Sequence, residues 1–407
     1  MINLSLNKKI IIFGFIFTFF SSFGQSFFLG LFNPSIRNDL IISHGQFGSI
    51  YALATICSSL TLIWFGKKID EYKLLNYSMI VVFLLFLSSF FFSFINNLYL
   101  LIFGIFLMRF SGQGLMSHTS STAISRYFNR RRGKALSTIW FGLSSAEFIL
   151  PILIIFLLSF LSWRLIWQFI SLGILIILPM VIFLTVKDIT LDSREKINLK
   201  KKVFDENIKH WKRSEVIKDF KFYIISLNML AMPWIVTGIF VYQSFISDSK
   251  NWDLYIIPKS FMAYSIASIF TLIASGFLVD KYTSRKLIKF INIPLLIGLI
   301  FLYFFNQPIY AYIFFCLVGI SNGLANVLGS STWAEIYGVK FIGGIKALTT
   351  ALMVFSTAFG TAVFGYLIDL RLSIELISLI CIFYIVVSLL MLLMISNKIN
   401  PVSLKKA

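Results

Sequence analysis

Residues 108–151 read MRFSGQGLMSHTSSTAISRYFNRRRGKALSTIWFGLSSAEFILP. Two long apolar segments flank a short turn that carries Arg126, Arg130, Arg131, Arg132 and Lys134. Each apolar segment contains one charge that hydrocarbon should exclude, Arg109 in the first and Glu147 in the second. A charge at the centre of a bilayer costs about 2.5–3.5 kcal/mol on insertion scales, and it usually marks a pathway or a paired site. Two apolar segments joined by a basic turn are the pattern of two membrane helices connected on the side where Lys and Arg collect.

The same pattern extends in both directions. The 407 residues are 58% hydrophobic and 13% charged, about half the charged share of a soluble domain. Apolar runs long enough to cross a bilayer, about 20 residues, fall at 10–32, 46–66, 74–95, 98–123, 134–160 and 165–186. After a polar stretch they resume at 220–246, 258–279, 287–305, 309–333, 345–369 and 373–396. The first run follows Lys8 and Lys9 but is too long for a signal-peptide core. It ends at Asn33-Pro34 without a small-residue cleavage site, so it reads as a retained span.

Lys and Arg set the orientation. Thirty of them lie in the even-numbered connections, the central stretch and the two ends, against five on the opposite side: Arg37, Arg164, Lys250, Lys259 and Arg371. The bias places both termini and the central stretch in the cytoplasm of a multi-pass plasma-membrane protein, as in a bacterial inner membrane. It also accounts for the net charge of +19 without nucleic acid, because no soluble domain presents a basic face. Cys57, Cys316 and Cys381 sit inside apolar runs with neither metal-site nor disulfide spacing. The sequence therefore predicts an all-α integral membrane protein of twelve transmembrane helices in two pseudo-symmetric six-helix bundles, residues 1–186 and 220–407. A cytoplasmic linker, 187–219, joins them. Its segment from His210 to Phe220 has the spacing of a short amphipathic helix lying on the inner membrane surface, with His210 solvated.

The pseudo-symmetry is visible as one constant offset along the chain. Gly66-Lys-Lys-Ile-Asp70 closes the second span and Gly276-Phe-Leu-Val-Asp280 the eighth; Ser111 and Ser321, Tyr127 and Tyr337, and Gly133 and Gly343 keep the same separation.

These residues resemble the Major Facilitator Superfamily over nearly the whole chain. Its loop signature, Gly-x-x-x-Asp-Arg/Lys-x-Gly-Arg-Arg/Lys, is matched at Gly276, Asp280, Lys281, Arg285 and Lys286 with one extra residue. The first-half copy departs from it, with Glu71 in place of a base and Lys73 in place of a glycine. The resemblance implies that the loops at Gly66, Asp70, Gly276, Asp280, Lys281 and Arg285 steady a gate. Arg109-Phe-Ser-Gly-Gln113-Gly114 is similar to a fourth-span pattern whose Arg lies near the coupling site in proton-coupled members, although Gln113 comes one place late. The stretch Tyr127–Ala135 with Trp163-Arg164 is similar to the monocarboxylate and organic-anion branches. Spans one and seven are gating helices in the family, which makes Gln25, Asn228, Tyr242 and Gln243 candidate cavity liners. Met232-Pro233-Trp234 and Gly238 would let span seven bend.

Helical geometry sorts the remaining polar groups. Arg109, Gln113, Met116 and Ser120 share one face of the fourth span, and His118 lies on the opposite face. The tenth span carries a parallel stripe, Asn322, Asn326, Gly329 and Trp333. Two equivalent helices each offering a polar stripe suit a cavity at the bilayer midplane. Arg109 cannot be neutralised, so it either receives an anion or pairs permanently with Glu147. Glu147 and His118 are the candidates for carrying a coupled proton.

The predicted function is transport of a small organic anion, such as a monocarboxylate, by alternating access, with a proton as the candidate co-substrate. No cofactor or metal is implied, and the expected state is a monomer in contact with lipid. Transport of another small solute (a drug, a sugar or an amino acid) and a transporter-like sensor are the alternatives. A membrane acyltransferase is disfavoured, because His44, His118 and His210 share no motif and no phosphate loop appears.

Overall fold

The computed structural model describes residues 6–127, 132–187, 209–338 and 341–399. All regular structure among them is helical. Among the described residues eleven helices are long and apolar enough to cross a membrane, and they coincide with the second to twelfth apolar runs. The first run differs. It is divided into α1 (Leu6–Ser21), a 3-10 turn (Ser22–Gly24), α2 (Ser26–Leu31) and α3 (Asn33–Leu40), with Gln25 extended at φ −82°, ψ 154°. The cause is local: Ser21-Ser-Phe-Gly-Gln-Ser26 is a run of weak helix formers in an otherwise apolar segment.

The chain separates into two compact units. One is drawn from Met1–Lys196 with Phe240–Ser244, the other from Ile197–Ile239 with Phe245–Ala407. The first unit continues with α4 (His44–Gly66), α5 (Leu74–Phe92), α6 (Leu98–Met108), a π-helical stretch (Arg109–Met116), α7 (Ser117–Tyr127), α8 (Arg132–Leu158) and α9 (Trp163–Val186). The second holds the one-turn α10 (Arg213–Val216), α11 (Phe220–Val241, apart from its last two residues), α12 (Gln243–Ser249, from Phe245 on), α13 (Ile256–Tyr282), α14 (Ser284–Leu287), α15 (Ile293–Phe304), α16 (Ile309–Tyr337), α17 (Ile342–Asp369) and α18 (Ile374–Ile395). Close packing in this unit depends on glycine. A Cβ at Gly319 would lie 2.3 Å from the Tyr264 carbonyl oxygen, and one at Gly323 would lie 2.7 Å from that of Ser268, so α13 and α16 touch backbone to backbone, the usual means of tight association in lipid.

Of the expected linker, residues 188–208 lie outside the described residues. Its end is docked rather than solvated. Trp211 N–H donates to the Tyr337 carbonyl at 3.0 Å, the two rings meet edge to face, and His210 is half-buried against Gly338. Gly338 has φ +78°, and a Cβ there would lie 2.2 Å from His210 Nδ1. Glycine is therefore required at that turn.

The internal repeat recurs as geometry. Helix α2 ends at Leu31 and α11 at Val241, each followed by one non-helical residue and a new helix. These new helices then end close to residues in the left-handed region, Ile41 at φ 53° and Asn251 at φ 52°. Ser162 caps α9 by accepting from Leu165 N–H, and Ser373, at the equivalent place in the second unit, caps α18 by accepting from Leu376 N–H. The same correspondence relates two ionic clasps. In the first unit Arg164 pairs with Asp39 and donates to the Ile95 carbonyl at 2.8 Å. In the second, Lys250 pairs with Glu375 at 2.7 Å and donates to Asn306 Oδ1 at 2.7 Å. Positions 39, 95 and 164 thus map onto 250, 306 and 375 with the charges exchanged.

Burial ranks the two clasps. The Lys250 side chain is fully buried, although its partner Glu375 is 35% exposed, whereas in the other clasp Asp39 and Arg164 are both more than a third exposed. Removing the partner of a buried charge costs about 3–5 kcal/mol, against about 1 kcal/mol or less for an exposed pair. Glu375→Gln is therefore expected to lower the melting temperature of the detergent-solubilised protein far more than Asp39→Asn; equal shifts would remove the distinction. The Trp163 indole N–H, followed by Arg164, holds the Asp39 carboxyl below its ordinary value. Because the folded form is the more acidic, this clasp's contribution is complete at neutral pH and is lost as pH falls below the usual carboxylate range.

Candidate substrate site

In the first unit the two helix irregularities meet. The open turn Ser22–Gln25 lies against the π-helical stretch Arg109–Met116, and the contact is glycine on glycine. A Cβ at Gly24 would fall 2.3 Å from the Met108 carbonyl oxygen and 2.4 Å from Gln113 N, and one at Gly112 would fall 2.7 Å from Gly24 N. A π-helical stretch widens the helix and often accompanies function. Here it brings Arg109 to the carbonyl that the break in α1 leaves without a helical donor.

Arg109 is 3% exposed. Its Nη1 donates to the Gly24 carbonyl at 3.1 Å and to Ser26 Oγ at 3.3 Å. The guanidinium carbon lies 5.3 Å from the centre of the Tyr51 ring, and the Tyr51 hydroxyl donates to the same Ser26 Oγ at 3.1 Å. The guanidinium's Nε has no partner. Gln25 and Gln113 are half-buried beside the break, and among the described residues neither side-chain amide has a partner.

Glu147 is brought to the same depth. Thr18 Oγ1 donates to the Ile139 carbonyl, Gly142 packs on Phe15 and Thr18, and α8 goes on to contact α2. Rising beyond Gly142 at about 1.5 Å per residue, α8 brings Glu147 level with Ser22–Gly24. It is 7% exposed and, among the described residues, has neither a hydrogen bond nor an ion pair; Arg109 does not pair with it. Ser22 Oγ is buried without a partner. The first unit thus holds Arg109, Gln113 and Gln25 at one break, with Glu147 on α8, a helix that packs against the elements forming that break.

Most of the other expected residues have partners of their own. His118 Nε2 is 3.1 Å from the Gly66 carbonyl oxygen, so it packs on the last residue of α4, one of the expected gate positions, and is absent from the Arg109 cluster. Residues 240–244, part of the first unit, hold Tyr242 and Gln243. Both are buried, and they donate to the His44 carbonyl at 2.8 Å and the Phe27 carbonyl at 2.9 Å. Asn33, which the repeat pairs with Gln243, donates in turn to the Val241 carbonyl at 2.7 Å. In the second unit Asn322 Nδ2 donates to Ser268 Oγ at 2.9 Å, Asn326 is exposed, and Trp333 is 3% exposed in an apolar cluster with Phe222 and Tyr337. Asn228 is buried, 1% exposed.

Of the loop residues, Lys281 is exposed. The Ser284 and Arg285 backbone N–H groups donate to the Glu335 carboxylate at 2.8 and 3.1 Å. Gly276 has open space where a Cβ would stand, and the side chains of Asp70 and Asp280 lie outside the described residues. Gly24, Ser26, Tyr51 and Gly112 complete the site and were not singled out from sequence. The polar run Ser21–Ser26 inside an apolar span was the available signal for the first two.

The chain matches the profile described as Major Facilitator Superfamily over residues 14–348. It belongs to that superfamily. It is accordingly a multi-pass membrane transporter of small molecules and not an enzyme. No curated protein matches it in sequence. Among solved structures it is similar to a bacterial homologue of the human lysosomal transporter Spinster in an inward-facing, unoccupied conformation. That match has 13% identity and a TM-score of 0.71, covering 97% of this chain and 98% of that one. It is also similar to the nucleoside transporter NupG, with 14% identity and a TM-score of 0.74, covering 97% and 100%. At such identities the likeness establishes the fold alone.

The glycine contact is directly testable. Gly24→Ala or Gly112→Ala places a methyl group against rigid backbone, and overpacking of this kind costs about 1–3 kcal/mol. Both variants are expected to melt earlier than wild type and to lose uptake, whereas Gly276→Ala should melt like wild type. Thermal melts of the purified variants in detergent decide this; an unchanged melt for Gly24→Ala would contradict the contact.

Proposed function

We propose that this transporter carries a small organic anion by alternating access, with Glu147 taking up the coupled proton. The observation that supports the reading is the guanidinium of Arg109: one nitrogen is committed to Gly24 and Ser26 at the break of the first span, while Nε, buried, is left without a partner. A buried cation with unused donors suits a carboxylate, which it can hold by charge-assisted bonds. Gln25 and Gln113 supply neutral donors and acceptors beside it. Glu147, buried and unpaired, suits a group that is occupied by a proton in part of the cycle.

The two units correspond in this reading to bundles 1–186 and 220–407, joined by the linker 187–219. The chain is a monomer in the plasma membrane with both termini in the cytoplasm, and Asn322 and Asn326 are further candidate contacts of the substrate. The unused amides of Gln25 and Gln113 favour a second reading, a neutral hydrogen-bonding solute such as a nucleoside, in which Arg109 serves the break at Gly24 alone.

Uptake by proteoliposomes loaded against carboxylates, nucleosides, sugars and amino acids separates the two. In the first reading Arg109→Gln loses at least about tenfold in uptake of an anion, the loss of one charge-assisted bond, while the protein remains folded. Glu147→Gln still exchanges substrate but no longer responds to an imposed proton gradient. Stimulation of wild-type uptake only by nucleosides, or full anion uptake by Arg109→Gln, would overturn it.

A further inference from the structure

We infer that Lys212, Arg213 and Lys218, together with Ile217, Phe220 and Tyr223, form a binding strip for the headgroups of anionic phospholipids. The inference rests on the reading that this end of the second unit meets the inner leaflet. The strip is built by sorting residues to opposite sides of one short segment. Val216 and Phe222 are 0% and 1% exposed within the apolar cluster of the second unit. Ile217, Phe220 and Tyr223 point outward at 40%, 55% and 50%, and Tyr223 folds back to donate its hydroxyl to the Ile217 carbonyl at 2.8 Å, so these side chains form one continuous apolar ledge.

The charges are sorted as well. The segment contains two acids, and both are occupied. Glu215 accepts from Lys212 N–H at 2.7 Å and pairs with Lys209 at 2.9 Å, contacts that hold its carboxyl below the ordinary value. Asp219 accepts from the Tyr337 hydroxyl at 3.1 Å and from Lys221 N–H at 3.1 Å. Lys212, Arg213 and Lys218 are exposed, and among the described residues none of them forms an ion pair, although the Lys212 charge also acts on Glu215. An apolar ledge bordered by unpaired bases matches a lipid that presents acyl chains below a negative headgroup. A zwitterionic headgroup offers those bases no net charge.

The segment cannot swing away to avoid the membrane. The Trp211 N–H bond to the Tyr337 carbonyl and the ring contact behind it fix its start, and α11 fixes its end. The bases are therefore presented at a set height on the protein rather than on a free tether.

The test uses the full-length protein, purified, delipidated and supplied with phosphatidylglycerol or phosphatidylcholine of identical acyl chains. Retained lipid is counted by native mass spectrometry, and the melting temperature is followed in parallel. Wild type is expected to retain phosphatidylglycerol preferentially and to melt later with it. Each base near an anionic surface contributes about fivefold in affinity, so the triple variant Lys212→Gln, Arg213→Gln, Lys218→Gln should lose about two orders of magnitude of that preference. Its melt in phosphatidylcholine should stay unchanged. Removing three charges elsewhere on the same side, Lys8→Gln, Lys9→Gln, Lys187→Gln, should leave the preference in place. Equal retention of the two lipids by wild type, an undiminished preference in the triple variant, or an equal shift from inorganic phosphate alone would overturn the assignment. No transported substrate is present, so the result does not depend on the roles of Arg109 and Glu147.

Discussion

An interrupted helix in hydrocarbon must find partners for its exposed backbone within the protein, since no water is available to supply them. In this chain that demand falls on the Gly24 carbonyl, and Arg109 meets it. The contact requires three further features. The backbones must come close, so glycine faces glycine at 24 and 112. The fourth span must widen at that level, so it winds as a π-helix from Arg109 to Met116. The charge must be covered from the side, so Tyr51 lies beside the guanidinium and shares Ser26 with it. Loss of any one of these would leave a buried charge or carbonyl without its partner.

The two intramembrane charges are therefore not equivalent. Arg109 is partly consumed by structure, and Glu147, at the same depth, is consumed by nothing among the described residues. A cation tied to the backbone and a carboxyl without a partner, held in the same unit, are an asymmetric arrangement. In the proposed cycle the first accepts a negative group and the second gains or loses a proton, without the protein surrendering an internal ion pair. This asymmetry separates the site from the clasps at Asp39–Arg164 and Lys250–Glu375, where opposite charges satisfy each other permanently. The clasps keep position across the repeat while exchanging sign, as expected where only mutual neutralisation matters.

Much of this was legible in the chain. The apolar runs located eleven spans to within a few residues, because each must reach across the same thickness of hydrocarbon and can do so only as a helix. Arg109 and Glu147 stood out for the same reason, and the constant offset between matching residues announced the repeat that the breaks at Phe32 and Tyr242 then displayed in three dimensions. The stripe of the tenth span shows what spacing leaves open. Asn322 and Trp333 share a face by spacing, yet one bonds to Ser268 and the other enters the apolar cluster, since spacing fixes angle around one axis but not what lies opposite.

The sequence by itself determined the solvent of this protein, its helical class and its internal duplication. The first two follow from hydrophobicity summed over windows of bilayer-spanning length, and the third from residues that recur at one separation. Only the tertiary structure decided that the first span is broken, that Arg109 serves the break, that His118 packs on Gly66, and that His210 is docked beside Gly338. These depend on which backbone atoms approach within about 3 Å, the range in which a hydrogen bond forms or a methyl group is refused. Such distances are set by the packing of several helices at once, and no single stretch of the chain records them.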